Sequence, residues 1–197
     1  MTGIVLAGGK NSRMGVEKAF LKVCGQRIID RVYASLKPIT PHIIIVTNRP
    51  LLYQQFPARI VTDLIPHQGP LGGILTGLFY TTSFPALVLA CDLPFVTTKF
   101  LEFLISYWDE RLDALIPKTP DGHQPLCAIY GKGAMPVLEA QLKRGDLRLY
   151  QALRRLKKQY LLPETIARID PGGRTFFNLN TPSDFLMAQK LCEKKHT

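Results

Sequence analysis

Short apolar runs and amphipathic stretches alternate through the first half of the chain, and this alternation is the first guide to its architecture. Gly3 to Leu6 reads GIVL with no polar interruption and then breaks into AGGKNSRMG, the pattern of a buried strand that feeds a loop. From Ile28 to Leu36, the side chains of Ile28, Ile29, Val32 and Leu36 fall on one face at helical spacing, and Pro38 stops the pattern. His42 to Thr47 (HIIIVT) is β-branched and predicts a strand, Leu51 to Phe56 a short helix, and Ile60 to Thr62 a return to extended chain. Gly69 to Thr76 (GPLGGILT) opens a helix reaching Tyr80, with Pro70 suited to the first turn. Ala86 to Cys91 (ALVLAC) is apolar on both faces, as a central parallel strand covered by helices must be. Thr98 to Tyr107 carries Phe100, Leu101, Leu104 and Ile105 at helical spacing, with Thr97 or Thr98 as its cap.

The second half is less regular. Ala114 to Pro117, Gln124 to Tyr130, Gln159 to Leu162 and Thr175 to Leu179 read as extended, while Ala134 to Leu142, Leu147 to Lys157 and a stretch from Pro182 or Ser183 to Cys192 read as helices. No internal repeat or low-complexity linker divides the chain. The pattern therefore predicts one three-layer α/β domain over residues 1–197, with a predominantly parallel sheet to which further strands are added. A length of 197 residues is enough for a continuous core. The terminal EKKHT reads as a frayed end.

Charge narrows the candidate ligands. The formal net charge is +10, which suits an anionic ligand, a nucleic acid or a negative membrane surface. Much of the excess lies in Lys143, Arg144, Arg148, Arg154, Arg155, Lys157 and Lys158, a run equally consistent with a solvated helical face. No paired zinc-ligand cluster or RNA-binding aromatic motif accompanies it, so no specific nucleic acid is expected. The four cysteines, Cys24, Cys91, Cys127 and Cys192, are far apart and form no CxxC, which argues against a zinc knuckle or a local redox pair and for reduced thiols. The first strand begins at Gly3, leaving no room for a secretory leader, and Pro or charged residues break every apolar run well short of the roughly 20 residues that cross a bilayer. A cytoplasmic protein without membrane association is the expectation.

The segment Leu6-Ala7-Gly8-Gly9-Lys10-Asn11-Ser12-Arg13-Met14-Gly15 concentrates the chemistry. Gly8, Gly9 and Gly15 can present backbone N–H groups without side-chain obstruction, Arg13 can direct several donors at phosphate oxygens, and Lys18 adds a point charge. The segment is neither GxxxxGK[ST] nor GxGxxG, and on residue types alone a structural loop or a generic anion nest remains open. At the end of the ALVLAC strand, Asp92 can coordinate a hard cation such as Mg²⁺ or simply close a turn. Asn178 and Asn180, near the Pro182 helix start, can position phosphate or metal-bound water, or act as caps. Asp63 with Gly69, Gly72 and Gly73 can hold a base against backbone groups, or form a tight bend. His123 reads as an exposed turn histidine rather than a general base, and Arg148 as an anion contact or a solvated helix charge.

Leu6 to Lys18, LAGGKNSRMGVEK, resembles the signature LAGGxSxRMGxDK of the molybdenum cofactor guanylyltransferases, with Glu17 in place of the usual Asp. ACDLP around Asp92, GPLGG after Asp63, and NLNTPSD around Asn180 resemble further segments of that family, and the likeness runs from Thr2 to about Lys190. It implies a Rossmann-like nucleotidyltransferase fold and transfer of GMP from GTP to the phosphate of molybdopterin or Mo-molybdopterin, releasing pyrophosphate. Under it, Gly8, Gly9, Arg13 and Lys18 surround the triphosphate, Lys10 helps to neutralise the phosphate chain, Leu6 and Ala7 join the nucleotide-binding set, and Arg13 and Lys18 favour departure of pyrophosphate. Asp92 becomes a magnesium ligand and Asn180 a residue facing the metal. Asn48, Asp63, Leu71 and Gly72 become contacts of the guanosine, and Arg148 a contact on the acceptor side. Transient contacts with cofactor-insertion proteins or molybdoenzymes also follow from the likeness. Use of CTP, a different phosphorylated acceptor, or a noncatalytic nucleotide-binding role stays open from the residues themselves.

Overall fold

The computed structural model describes residues 1–8 and 17–193. Strand β1 (Thr2–Leu6) is followed, after a 3₁₀ turn at Lys18–Phe20, by a hairpin of β2 (Lys22–Val23) and β3 (Gln26–Arg27), then α1 (Ile28–Leu36) and β4 (His42–Val46). Next come β5 (Arg59–Val61), α2 (Gly69–Phe79), β6 (Ala86–Ala90) and α3 (Thr98–Ile105). The remainder comprises β7 (Ala114–Thr119), β8 (Gly122–His123), β9 (Cys127–Tyr130), α4 (Ala134–Lys143), α5 (Leu149–Arg155), β10 (Lys158–Leu161), α6 (Pro163–Ile166) and α7 (Pro182–Glu193).

The main sheet has the order β10-β7-β9-β6-β1-β4-β5, with β8 paired to β7. β1 pairs in parallel with β4 on one side and β6 on the other, and β4–β5 and β7–β10 are parallel too. β9 runs antiparallel between β6 and β7. Leu6 stands level with Val46 and Ala90, so the three central strands end together. Because the chain leaves β1 toward β4 and later returns to β6 on the opposite side, a crevice opens above the carboxyl end of β1, where open α/β sheets bind ligands.

Alternation along the strands builds two cores. Val5, Ile43, Ile45, Leu87 and Leu89 pack with residues of α1, α3 and α7, including Val32, Phe100 and Ala188. Ile4, Ile44, Val46 and Val88 pack with α2, α4 and α5 through residues such as Ile74, Leu138 and Leu153. Helix α2 sits directly on β1: a Cβ added at Gly77 would come 2.5 Å from Ile4 Cγ2, so glycine is what lets the two backbones approach. The Thr97 hydroxyl caps α3, accepting from the Phe100 N–H at 3.2 Å.

Several expectations change. Thr175 to Leu179 does not form a strand. The Asp170 carboxylate accepts from the N–H groups of Arg174 (3.1 Å) and Thr175 (2.8 Å), curling Arg174–Phe176 into a 3₁₀ turn. The strand expected from Gln124 starts only at Cys127, whose N–H turns back to the Gln124 carbonyl. Reduced thiols were expected throughout, but Cys24 and Cys192 form a disulfide with Cα atoms 5.4 Å apart. Cys24 lies in the turn of the β2–β3 hairpin, and α7 docks there, Gln189 donating to the Lys22 carbonyl at 3.0 Å, so residues 168 apart in sequence meet in space. Cys91 and Cys127 are free. Among the described residues, no helix is long and apolar enough to cross a membrane.

Candidate functional site

A cavity of about 670 Å³ opens over the ends of β1, β4 and β6. Leu6, Ala7 and Gly8 form part of its floor, which continues the first strand. One wall belongs to the residues after β4 and β5 and to the first turns of α2. There Asn48 Nδ2 donates to Asp63 Oδ2 at 2.8 Å, and the Leu64 N–H, donating to Thr76 Oγ1 at 3.1 Å, ties the segment after Asp63 to α2. Gly69, Pro70 and Gly73 complete this wall. A Cβ at Gly73 would lie 3.5 Å from Leu6 Cδ2 and 4.0 Å from Asp63 Oδ1, so a side chain there would narrow the cavity beside Asp63.

The other wall is built around Asp92, delivered by β6. Its Oδ1 is buried and makes no hydrogen bond. Burial pushes the Asp92 carboxyl above the ordinary aspartate range, with the Lys18 ammonium and a backbone N–H opposing the shift. An unpaired, partly desolvated carboxylate oxygen is costly unless a cation or a donor meets it, so the group fits a metal ion. Among the described residues no cluster of three or more His, Cys, Asp or Glu forms a protein cage.

Lys18 and Asn180 stand beside Asp92. Lys18 Nζ lies 3.4 Å from Asn180 Oδ1, and the Leu179 N–H donates to the Asp92 carbonyl at 3.2 Å. Asn180 is placed by the start of α7, where the Asp184 carboxylate accepts from the N–H groups of Asn180 (2.9 Å) and Thr181 (2.7 Å). Those donors hold the Asp184 carboxyl below its usual range.

The structure thus brings Leu6, Ala7, Gly8, Asn48, Asp63 and Asp92 to one cavity. Lys18, next in sequence to the lining residue Glu17, and Asn180 bond to each other outside that lining. Leu71, Gly72 and Arg148 are not among the described residues lining it. The Leu71 side chain is buried in the core beneath α2, and Gly72 backs onto Gln68. Arg148 is exposed and bonded to Asp146 by Nε at 2.8 Å. His123 packs between Tyr150 and Tyr160, with ring centroids 5.8 and 4.6 Å away. Gly9, Lys10 and Arg13 lie outside the described residues.

Sequence reasoning missed Glu17 and Arg49 as a pair. Both line the cavity, and Glu17 Oε2 lies 2.9 Å from Arg49 Nη1. Adjacency to Lys18 and Asn48 was the available signal. It could not show that residues 32 apart meet.

Residues 3–160 match the family model of the MobA-like NTP transferase domain. A molybdenum cofactor guanylyltransferase of Desulfosudis oleivorans is 32% identical over 190 residues, covering 96% of this chain and 94% of that protein. Another, of Syntrophotalea carbinolica, is 32% identical over 185 residues, covering 93% and 88%. Among solved structures, the molybdopterin-guanine dinucleotide biosynthesis protein A of Archaeoglobus fulgidus matches with a TM-score of 0.85 at 32% identity, covering 98% of this chain and 100% of that one. With a match that spans most of its length and shares the sheet that builds the cavity, the chain belongs to the MobA-like NTP transferase family.

Proposed function

We propose that this protein transfers GMP from GTP to the phosphate of molybdopterin or Mo-molybdopterin, with release of pyrophosphate. The observation that carries the reading is one cavity with a hydrogen-bonded carboxylate, Asp63, at one end and at the other Asp92, one of whose oxygens is buried and makes no hydrogen bond. The names of the relatives supply the acceptor.

Asp63 offers acceptor oxygens to the adjacent ring and amino N–H donors of guanine, while Asn48 fixes its orientation by holding Oδ2. Lys18 neutralises phosphate charge beside Asp92, a role in which Arg13 and Lys10 join it. The acceptor phosphate is already an anion at neutral pH, so the reaction needs no general base. An acceptor oxygen forms a bond to the α-phosphorus, the bond from that phosphorus to the bridging oxygen breaks, and its electron pair leaves with pyrophosphate. The protein supplies alignment and charge stabilisation. Asp92 would hold Mg²⁺, which when bound neutralises phosphate oxygens and draws electron density from phosphorus.

The basic excess suits two anionic substrates, and the exposed cations between Lys143 and Lys158 offer a surface for transient contacts with insertion proteins or molybdoenzymes. A single unit over residues 1–197 acting in the cytoplasm goes with this reading. The test is a product assay with each of GTP, CTP, ATP and UTP, Mg²⁺ and molybdopterin or its molybdenum-loaded form, following pyrophosphate and the dinucleotide. GTP-dependent formation of both products is expected. Pyrophosphate release with CTP in preference to GTP overturns the guanine assignment.

A further inference from the structure

A belt of contacts runs around the cavity from its base end to its phosphate end, and it passes through residues that are neighbours in sequence. Asp63 accepts from Asn48 at 2.8 Å. The next residue, Arg49, is paired with Glu17 at 2.9 Å. The residue after Glu17 is Lys18, whose Nζ reaches Asn180 Oδ1 at 3.4 Å. Before Asn180 stands Leu179, whose N–H binds the Asp92 carbonyl at 3.2 Å.

Glu17 is the more buried member of its pair. Its side chain is 14% exposed against 61% for Arg49. Its carbonyl accepts from the Phe20 N–H at 3.0 Å, and the Lys18 carbonyl accepts from the Leu21 N–H at 3.1 Å, so residues 17–21 form a stiff turn. A displacement of Glu17 must carry Lys18 with it. An ion pair with so exposed an arginine adds little to global stability. Its effect lies in where it sets that turn.

We propose that the Glu17–Arg49 ion pair is a positioning device for the triphosphate, seating Lys18 beside Asp92 by tying its turn to the strand end that carries Asn48. The inference rests on the nucleotide site proposed above. It has a signature that charge alone does not share. A carboxylate in the wall of a cavity that takes a polyanion repels its ligand, so simple Coulomb reasoning says that neutralising Glu17 tightens GTP binding. Positioning says that it weakens.

The experiment measures, by calorimetry with Mg²⁺ and no acceptor, the ratio of the guanosine Kd to the GTP Kd, which isolates what the phosphates contribute. Wild type is compared with Glu17→Gln, Arg49→Gln and the double variant Glu17→Arg/Arg49→Glu. Each single variant is expected to lower the ratio about tenfold, or about 1.4 kcal/mol, with the guanosine Kd unchanged. The double variant, which restores the pair with reversed polarity at the same net charge, should return to within about threefold of wild type. An unchanged or increased ratio in Glu17→Gln overturns the proposal. So does a double variant no better than Arg49→Gln. Melting temperatures of all three variants check folding. Wild-type protein that binds GTP no more tightly than guanosine overturns the nucleotide site itself. A normal wild-type ratio without transfer to molybdopterin overturns only the acceptor.

Discussion

Asp63 and Asp92 stand at strand-end loops in the same cavity, separated in the sheet by β1 and β4, and the fold treats them differently. Asp63 has an amide holding one of its oxygens. Asp92 is pressed against the end of β6 with one oxygen buried and unpaired, its carboxyl pushed upward by burial. The same side chain thus has one oxygen held by an amide in one place and one left desolvated and without a hydrogen bond in the other. What distinguishes the two roles is the desolvation and partners that each backbone position imposes.

Removing the charge at either end should have different effects. Asp92→Ala is expected to lower turnover by about 10³-fold, about 4 kcal/mol of transition-state stabilisation, in steady-state assays at saturating Mg²⁺. Near-wild-type turnover there would exclude a metal role. Asp63→Asn should act on choice of base, cutting the preference for GTP over ATP about tenfold in kcat/KM, because a donor then faces the donors of guanine. Equal losses with all nucleotides would place Asp63 elsewhere in the reaction.

A third test reads stability. The folded Asp92 carboxyl lies above its unfolded value, so its contribution is most favourable below about pH 4, the ordinary aspartate range, and is lost as pH rises through the raised value. In metal-free protein, Asp92→Asn should therefore melt at or above the wild-type temperature at neutral pH, the advantage shrinking on acidification. A pH-independent fall would show that the carboxylate is structural. Cys24→Ser should have the smallest effect on chemistry, changing turnover less than about twofold while lowering the melting temperature by about 5 °C without reductant. A large loss of turnover would mean that the Asp92 side depends on the covalent attachment of α7.

The sheet-forming half of the fold was readable because β-branched and apolar runs alternate with helical periods where β1, α1, β4, α2 and β6 stand. Asp92 was readable for a related reason, since it ends such a run, and Asp63 stood out beside the glycines of α2, whereas Asn48 was named only through the family likeness. The hairpin at residues 22–27 was not, since two-residue strands leave no period to detect. The 3₁₀ turn at Arg174–Phe176 was hidden because Asp170, which shapes it, acts through a side chain. The placement of Leu71 depended on helix phase: Gly69, Pro70 and Gly73 face the cavity, and Leu71 turns inward. The Cys24–Cys192 bond and the Glu17–Arg49 pair required three-dimensional neighbours that no local spacing encodes.

The contact between Gly77 and Ile4 has a consequence for anyone redesigning nucleotide preference. With no spare room beneath it, α2 works as a fixed jig, and on the proposed reading the purine slot is gauged against it. Enlarging residue 77 would lift the whole jig and spoil the slot for every nucleotide, whereas changes at its rim, around Gly73, can retune the slot's width while the reference surface stays put.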